Sequence, residues 1–272
     1  MTPRPGGWPV DAHVHFHRPA RVAPTLEAAL VNFSMLRGPA DGLLGVLLLA
    51  QGAREHVFEM LQAARTAGGW SMAPVAGEPQ TLIARRGAVS IAVVCGRQVR
   101  ADDGLELLAL GTEACFEDGR SFAEMLDAVQ RSGALAVIPW GVGKWLGRRG
   151  RKVASALETA SSREVFLGDN GGRFGWAGRP RALRAAEARG FRILPGTDPF
   201  PFGEDHRRVG GFGFVTHAPL DEIAPWRKLR TWLCDRRGSP IGYGHACGPL
   251  RFVVNQVGIQ AWNRLGTGRH AP

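Results

Sequence analysis

Apolar runs that suit buried strands alternate with segments of helical periodicity along most of the chain. The strand-like runs are residues 10–16, 43–50, 90–99, 105–111, 135–141, 164–169 and 191–198. Helical patterns lie between them at about 52–67, 120–132, 150–160 and 179–189, and later at about 219–236 and 248–264. This alternation is typical of βα units around a parallel sheet. Residues 80–96 interrupt it with a predicted β-hairpin at Arg86 and Gly87.

The chain length and the lack of a compositional break predict one domain. A chain of 272 residues can bury a large core, and no repeat or linker divides it. We therefore expect a single α/β domain over residues 1–272, in which residues 219–272 form a helical extension packed on the rest.

The stretch DAHVHFH, residues 11–17, places histidines at alternate positions of the first predicted strand. Side chains at i and i+2 of a strand project from the same face, so His13 and His15 can direct their imidazoles to one point. Imidazole is a common ligand of zinc and similar ions. His17 lies further along, past the expected strand end. The alternative is a strand whose histidines have no ligand role.

The carboxyl ends of the other predicted strands carry further polar side chains. They include Cys95, Gln98, Glu113, Trp140, Lys144, Asp169, Asn170 and Asp198. In a (β/α) barrel the functional groups lie at this end of the strands, and an open doubly wound sheet has the same property. The pattern thus predicts where a site lies without deciding between these two folds.

Four stretches resemble the PHP family of metal-dependent phosphoesterases and, more distantly, the amidohydrolases. DAHVHFH resembles the family's opening motif, and CGRQVRADDGLELLALG, residues 95–111, resembles a strand with a hairpin return. AVIPWG, residues 136–141, matches a strand that ends in His-Pro in the family, and LPGTDPFPFGEDHRRVG, residues 194–210, resembles its closing segment. The resemblance implies a distorted (β/α)7 TIM-like barrel, and the helical patterns after residue 219 predict extra C-terminal helices.

Several metal positions of that family are changed in this sequence. Gln98 stands where the family has a glutamate, and Pro139 and Trp140 stand where it has a histidine. The resemblance leaves His13, His15 and Asp198, a set that suits one divalent ion, zinc first, with manganese or iron as alternatives. Candidates for a further ligand are Asp169, which we favour, His17, Glu113, Cys95 and His206.

Two carboxylates are the predicted catalytic groups. Asp198 can bind the metal or serve as a general base, as the equivalent aspartate does in the amidohydrolases. Asp169 precedes Asn170 and two glycines at a strand end, and Arg173 follows them. We expect Asn170 and Arg173 to contact substrate, whereas the alternative for this stretch is a simple turn.

The segment PWGVGKWLGRRG, residues 139–150, predicts an anion-binding loop. Lys144 with Arg148 or Arg149 would orient an anionic substrate, and Trp140 and Trp145 would form apolar walls. The alternative is that both tryptophans only pack at the rim. A glycine-rich stretch, residues 207–214, predicts either a flap over the site or a tight turn into a strand.

The net charge of +10 fits a small anionic substrate, and it also fits nucleic acid. Basic and aromatic residues do not recur along one long stripe, so the pattern favours the small substrate. The longest apolar run, residues 42–50, is too short to span a bilayer, and the four cysteines lack metal-binding spacing. We expect a cytoplasmic protein with reduced thiols and no membrane insertion.

The sequence therefore predicts a metal-dependent hydrolase of a phosphoester or another anionic substrate. The competing interpretation is a domain that has lost catalysis and binds a ligand or a protein partner, with the histidines as remnants.

Overall fold

The computed structural model describes residues 7–38, 40–141, 143–161, 164–171, 178–235, 239–246, 248 and 258. Its strands, numbered in chain order, are β1 (Trp8–Val14), β2 (Gly42–Leu49), β3 (Thr66–Ala67), β4 (Trp70–Val75), β5 (Glu78–Arg86), β6 (Val89–Val94), β7 (Gly96–Arg100), β8 (Glu106–Leu110), β9 (Leu135–Trp140), β10 (Val165–Asn170), β11 (Ile193–Gly196), β12 (Phe212–Thr216) and β13 (Ile241–Gly244).

The helices are α1 (Pro19–Arg37), α2 (Val57–Ala64), α3 (Phe122–Arg131), α4 (Gly147–Thr159), α5 (Arg181–Ala188) and α6 (Pro225–Cys234), with a 3-10 turn at Asp205–Arg208. Ser121 and Glu124 form a capping box that begins α3. All predicted helices up to α6 are present. The helix predicted at 248–264 lies outside the described residues except for positions 248 and 258.

The strands of the described residues form two sheets. The larger sheet has the order β13-β12-β1-β2-β6-β5-β4-β3, and the smaller one has the order β11-β10-β9-β8-β7. β2 is apolar along its whole length because it lies between β1 and β6 and is buried on both faces. The predicted hairpin at Arg86 and Gly87 is confirmed, since β5 and β6 pair Arg86 with Val89.

The predicted (β/α)7 barrel is wrong, because the described strands form no closed ladder. Closure would require a continuous set of paired strands, with β11 pairing to β1. The free edge of β1 is instead occupied by β12, which runs antiparallel to it with Val10 opposite Phe214. β8 also runs antiparallel to β7 and β9, which breaks the parallel series. The fold is a mixed α/β arrangement of two sheets.

The chain crosses from one sheet to the other at Cys95 and Gly96. The apolar run 90–99 is one predicted strand, but it forms β6 in the larger sheet and β7 in the smaller one. A Cβ at position 96 would lie 2.3 Å from the carbonyl oxygen of Leu49, so only glycine fits this crossing. The N–H of Gln98 then donates to the carbonyl of Gln51 at 2.7 Å, which joins the two sheets at this corner.

One apolar core fills the space between the sheets. Its members include Leu48, Leu110, Val137, Phe166 and Leu194, all buried, and α6 adds Trp226, Leu229 and Leu233. A second core packs α1 and α2 on the outer face of the larger sheet, and a third packs α3, α4 and α5 on the smaller sheet. No helix of the described residues has the length and apolar character needed to cross a bilayer.

The side chain of Asp11, in the middle of β1, forms hydrogen bonds with the segments that follow β11. Its Oδ1 accepts hydrogen bonds from the N–H of Thr197 at 2.8 Å and of His13 at 3.3 Å. Its Oδ2 accepts from the Thr197 hydroxyl at 2.7 Å and from the N–H of Gly210 at 2.9 Å. The carboxylate is fully buried, so these four donors replace the water that it loses on folding.

Asp11→Asn should therefore change stability in a pH-dependent way. Burial raises the pKa of Asp11 from 3.8 to about 6, against the opposing effect of its four donors. Because the folded pKa is the higher one, proton uptake stabilises the fold fully below pH 3.8, and this stabilisation is lost as the pH rises through 6. Between about pH 4.5 and pH 8, the destabilisation caused by Asp11→Asn should therefore shrink by roughly 2 kcal/mol.

Urea unfolding of the metal-free protein across this range measures the effect. Asp127→Asn is the matched control, because Asp127 is an exposed carboxylate that forms an ion pair with Arg131 on its own helix. A cost of Asp11→Asn that stays constant, or grows with pH, would contradict the assignment.

Candidate metal centre

His13 and His15 direct their imidazoles to one point at the carboxyl end of β1. His13 is the penultimate residue of the strand and His15 follows its end. The two Nε2 atoms lie 3.1 Å apart, as the alternation of side chains predicts. Both side chains are nearly buried, with 5% and 9% of their surface exposed.

Asp198 brings a carboxylate to the same point from the segment after β11. Its N–H donates to the carbonyl of His13 at 2.8 Å, which places it beside the end of β1. Its Oδ1 lies 3.5 Å from Nε2 of His13 and 3.4 Å from Nε2 of His15. Asp198 has φ of +47°, a left-handed conformation that non-glycine residues adopt rarely and that recurs at functional sites.

These three side chains fit one divalent ion. One ligand atom from each of His13, His15 and Asp198 falls in a group within 4.8 Å. Two ligands about 2.1 Å from a zinc ion at a tetrahedral angle lie about 3.4 Å apart, close to the distances between these atoms. Gln98 Oε1 lies 3.0 Å from Nε2 of His13 and offers a neutral oxygen beside the group.

The charges of the centre favour a carboxylate ligand next to a neutral imidazole. Burial lowers the pKa of His13, so its ring is neutral near pH 7, the form that binds a metal. Burial would also lower the pKa of His15, but its contact with Asp198 raises it. Burial opposes ionisation of Asp198, yet the two histidines and Lys144 hold the pKa of this carboxyl well below its usual range.

Asn170 orients the second oxygen of the aspartate. Its side-chain N–H donates to Oδ2 of Asp198 at 3.0 Å, which leaves Oδ1 facing the histidines. Asn170 ends β10 and belongs to the strand face that carries the buried Phe166 between the two sheets. The residue is therefore a support for the metal group rather than a member of it.

His17 holds the neighbouring turn in place. Its Nε2 lies 2.7 Å from the carbonyl oxygen of Pro199 and donates to it, and its Nδ1 lies 3.5 Å from Oε1 of Glu55. Its ring stacks on that of His15. Burial would raise the pKa of Glu55, but the contact with His17 and the nearby charges lower it to about 2. His17 thus connects both chain segments of the centre.

Lys144 and Glu106 lie next to this group. Lys144 Nζ is 2.5 Å from Oε1 of Glu106. The charge of Lys144 acts on Asp198, and the charge of Glu106 acts on both His13 and His15. The predicted substrate lysine is therefore close to the metal group, with a carboxylate as its partner.

Asp169 points away from the centre. It shares the face of β10 with Leu167, which packs on the outer helices, and its Oδ2 lies 3.8 Å from Nε of Arg179. The predicted walls also face outward, since Trp140 and Trp145 pack on the helical core and Trp145 donates to the carbonyl of Pro139. The geometry agrees with rim packing for both tryptophans.

The other predicted residues lie apart from the three ligands. Arg148 is exposed at the start of α4, and Arg149 donates to the carbonyl of Gly143. Arg173 lies outside the described residues. The remaining ligand candidates, Cys95, Glu113 and His206, are not members of the metal group found in the described part of the chain. Residues 209–211 form a turn into β12, and Gly210 contacts Asp11.

Sequence reasoning missed Glu106 and Glu55. Glu106 carried a signal, because alternation places it on the same face of β8 as the buried Leu108 and Leu110. Glu55 lies in the loop before α2 and has no local pattern that would indicate contact with His17.

No protein-family model and no curated protein matches the chain. Several solved structures are similar to it, among them the two that follow. PsfC from Pseudomonas syringae PB-5123 is 13% identical with a TM-score of 0.57, over 96% of this chain and 99% of that chain. The lesion-specific endonuclease PfuEndoQ from Pyrococcus furiosus is 13% identical with a TM-score of 0.53, over 87% of this chain and 57% of that chain. At this identity the likeness shows a shared fold alone.

Asn170→Ala should weaken metal binding without removing it. Loss of the side chain frees Oδ2 of Asp198 and lets the carboxylate rotate, and such supporting contacts are typically worth about 10- to 100-fold in metal affinity. Competition titration with a chromogenic chelator measures the change. Asn32→Ala is the control, because Asn32 donates to the carbonyls of Arg207 and Val209 outside the group. Equal affinity in Asn170→Ala and the wild type would contradict this role.

Proposed function

We propose that this chain is a metal-dependent hydrolase of anionic esters, with phosphoesters as the substrate class, related to the PHP family. One divalent ion, zinc first, would be held by His13, His15 and Asp198. The observation that carries the proposal is the convergence of two imidazole nitrogens and one carboxylate oxygen at strand ends. Lewis acidity toward a phosphoryl or carbonyl oxygen is the chemistry that such an ion supplies.

The side chains around the ligands have separate tasks in this proposal. Asp198 acts as a ligand, because its Oδ1 lies 3.5 Å and 3.4 Å from the Nε2 atoms of His13 and His15, the distances expected between ligands of one ion. Asn170 fixes the orientation of that carboxylate. Gln98 adds a neutral oxygen next to His13 without adding charge.

An anionic substrate suits the surroundings of the centre. The side chain of Lys144 is one-third exposed, so it lies where a substrate approaches from solvent. Asp198 is the most exposed of the three ligands, at 22%, which marks the open side of the group. PfuEndoQ, whose fold is similar, is named an endonuclease, a class of enzyme that cleaves phosphodiesters.

Turnover of simple esters tests the proposal. The purified chain is loaded with Zn²⁺, Mn²⁺ or Fe²⁺ and given p-nitrophenyl phosphate, bis(p-nitrophenyl) phosphate and the neutral p-nitrophenyl acetate. We expect hydrolysis of a phosphoester in preference to the acetate, abolished by a chelator and by His13→Ala. His217→Ala removes an exposed imidazole outside the centre and should leave the rate unchanged.

Activity that survives in His13→Ala would contradict the assignment. Metal binding without turnover of any anionic ester would instead favour the other interpretation, a protein that retains the metal group and uses it to bind a ligand or a partner.

A further inference from the structure

A buried carboxylate that belongs to no ligand group lies beside the metal centre. Gln98 in β7 pairs with Leu108 in β8, and Glu106 is the next residue on the same face of β8. Gln98 contacts His13, so Glu106 is close to the metal group along the strand. Its side chain is only 11% exposed.

Lys144 provides the counter-charge for this carboxylate. Its Nζ lies 2.5 Å from Oε1 of Glu106, whereas Arg100, the other cation nearby, is mostly exposed and lies at 3.7 Å. A buried charge is costly unless it is paired, so Glu106 requires a cation at this position.

The loop after β9 holds Lys144 in place. Its N–H donates to the carbonyl of Gly141 at 3.0 Å, and its aliphatic stem lies over that glycine. A Cβ at position 141 would approach Cδ of Lys144 to 2.7 Å, so a glycine gives the stem its room. The ammonium is therefore positioned by the backbone as well as by its ion pair.

We propose that the ammonium of Lys144 takes the place of a second metal ion beside His13, His15 and Asp198. This inference rests on the proposed function, because it presupposes the first ion. A carboxylate such as that of Glu106 would bind a second cation, but its Oε1 already pairs with the ammonium of Lys144. The centre consequently takes one ion.

The charge balance that results leaves no excess of negative charge to repel an anionic substrate. Asp198, Glu106 and Glu55 are the carboxylates around the centre, and one divalent ion together with Lys144 balances their three charges. A second divalent ion in place of the ammonium would raise the positive charge further and would give a centre of different metal content. Metal content is therefore the property that distinguishes the two arrangements.

Lys144→Ala tests the inference by metal stoichiometry. It removes the ammonium and leaves space at Glu106, so the loaded protein should rise from about one to about two equivalents of Mn²⁺ or Zn²⁺. The double variant Lys144→Ala/Glu106→Gln lacks the carboxylate and should return to about one. Lys152→Ala is the matched control, because Lys152 in α4 forms a similar 2.5 Å ion pair with Asp103 in the turn between β7 and β8.

Equilibrium dialysis followed by elemental analysis gives the result, with circular dichroism to verify folding. If Lys144→Ala does not fold, Lys144→Met takes its place, since it keeps the aliphatic stem over Gly141 and removes the donor to Glu106.

The possible outcomes separate this inference from the proposed function. Two equivalents in Lys144→Ala, and one in the wild type and both controls, support it. One equivalent in both the wild type and the folded single Lys144 variant overturns the inference but not the proposed function. Two equivalents in the wild type have the same consequence. No metal in the wild type overturns the inference and the proposed function together.

Discussion

The buried carboxylate of Asp11 is the interaction on which the rest of the centre depends. It joins β1 to Thr197 and to the turn at Gly210, two segments that come almost 200 positions later in the chain. Since Asp198 follows Thr197 and His13 follows Asp11 by two residues, this contact brings two of the three ligands together. The first residue of the opening motif is thus structural, and the histidines after it carry the chemistry.

The two sheets meet at their strand ends without forming one closed ladder, and the three ligands lie where β1 and β11 end. β12 occupies the edge of β1, so β11 approaches β1 through the Asp198 backbone rather than through regular pairing. Both chain segments there adopt left-handed backbone, with φ of +56° at His17 and +47° at Asp198. Strained residues at converging loops are a common arrangement at functional sites, because the surrounding contacts maintain them.

Local pattern predicted the elements and part of the site, whereas long-range pairing decided the remainder. The alternation of side chains along a strand was sufficient to predict that His13 and His15 point to the same place. The same alternation along β10 would have placed Asn170 on the inner face of the strand and Asp169 on the outer face. Barrel closure depends on which distant strands share an edge, and no local pattern encodes that choice. α1 was not predicted because Pro24 lies inside it and exposed apolar residues such as Val31 and Met35 obscure the apolar stripe of its buried face.

The measurement that tests the account most directly is the metal content of the purified chain beside its His13→Ala/His15→Ala double variant. Elemental analysis after incubation with Zn²⁺, Mn²⁺ or Fe²⁺ and removal of free ion gives the number of bound equivalents. We predict about one equivalent in the wild type and none in the folded double variant. A wild type that binds no metal, or a double variant that binds as much as the wild type, would contradict the account.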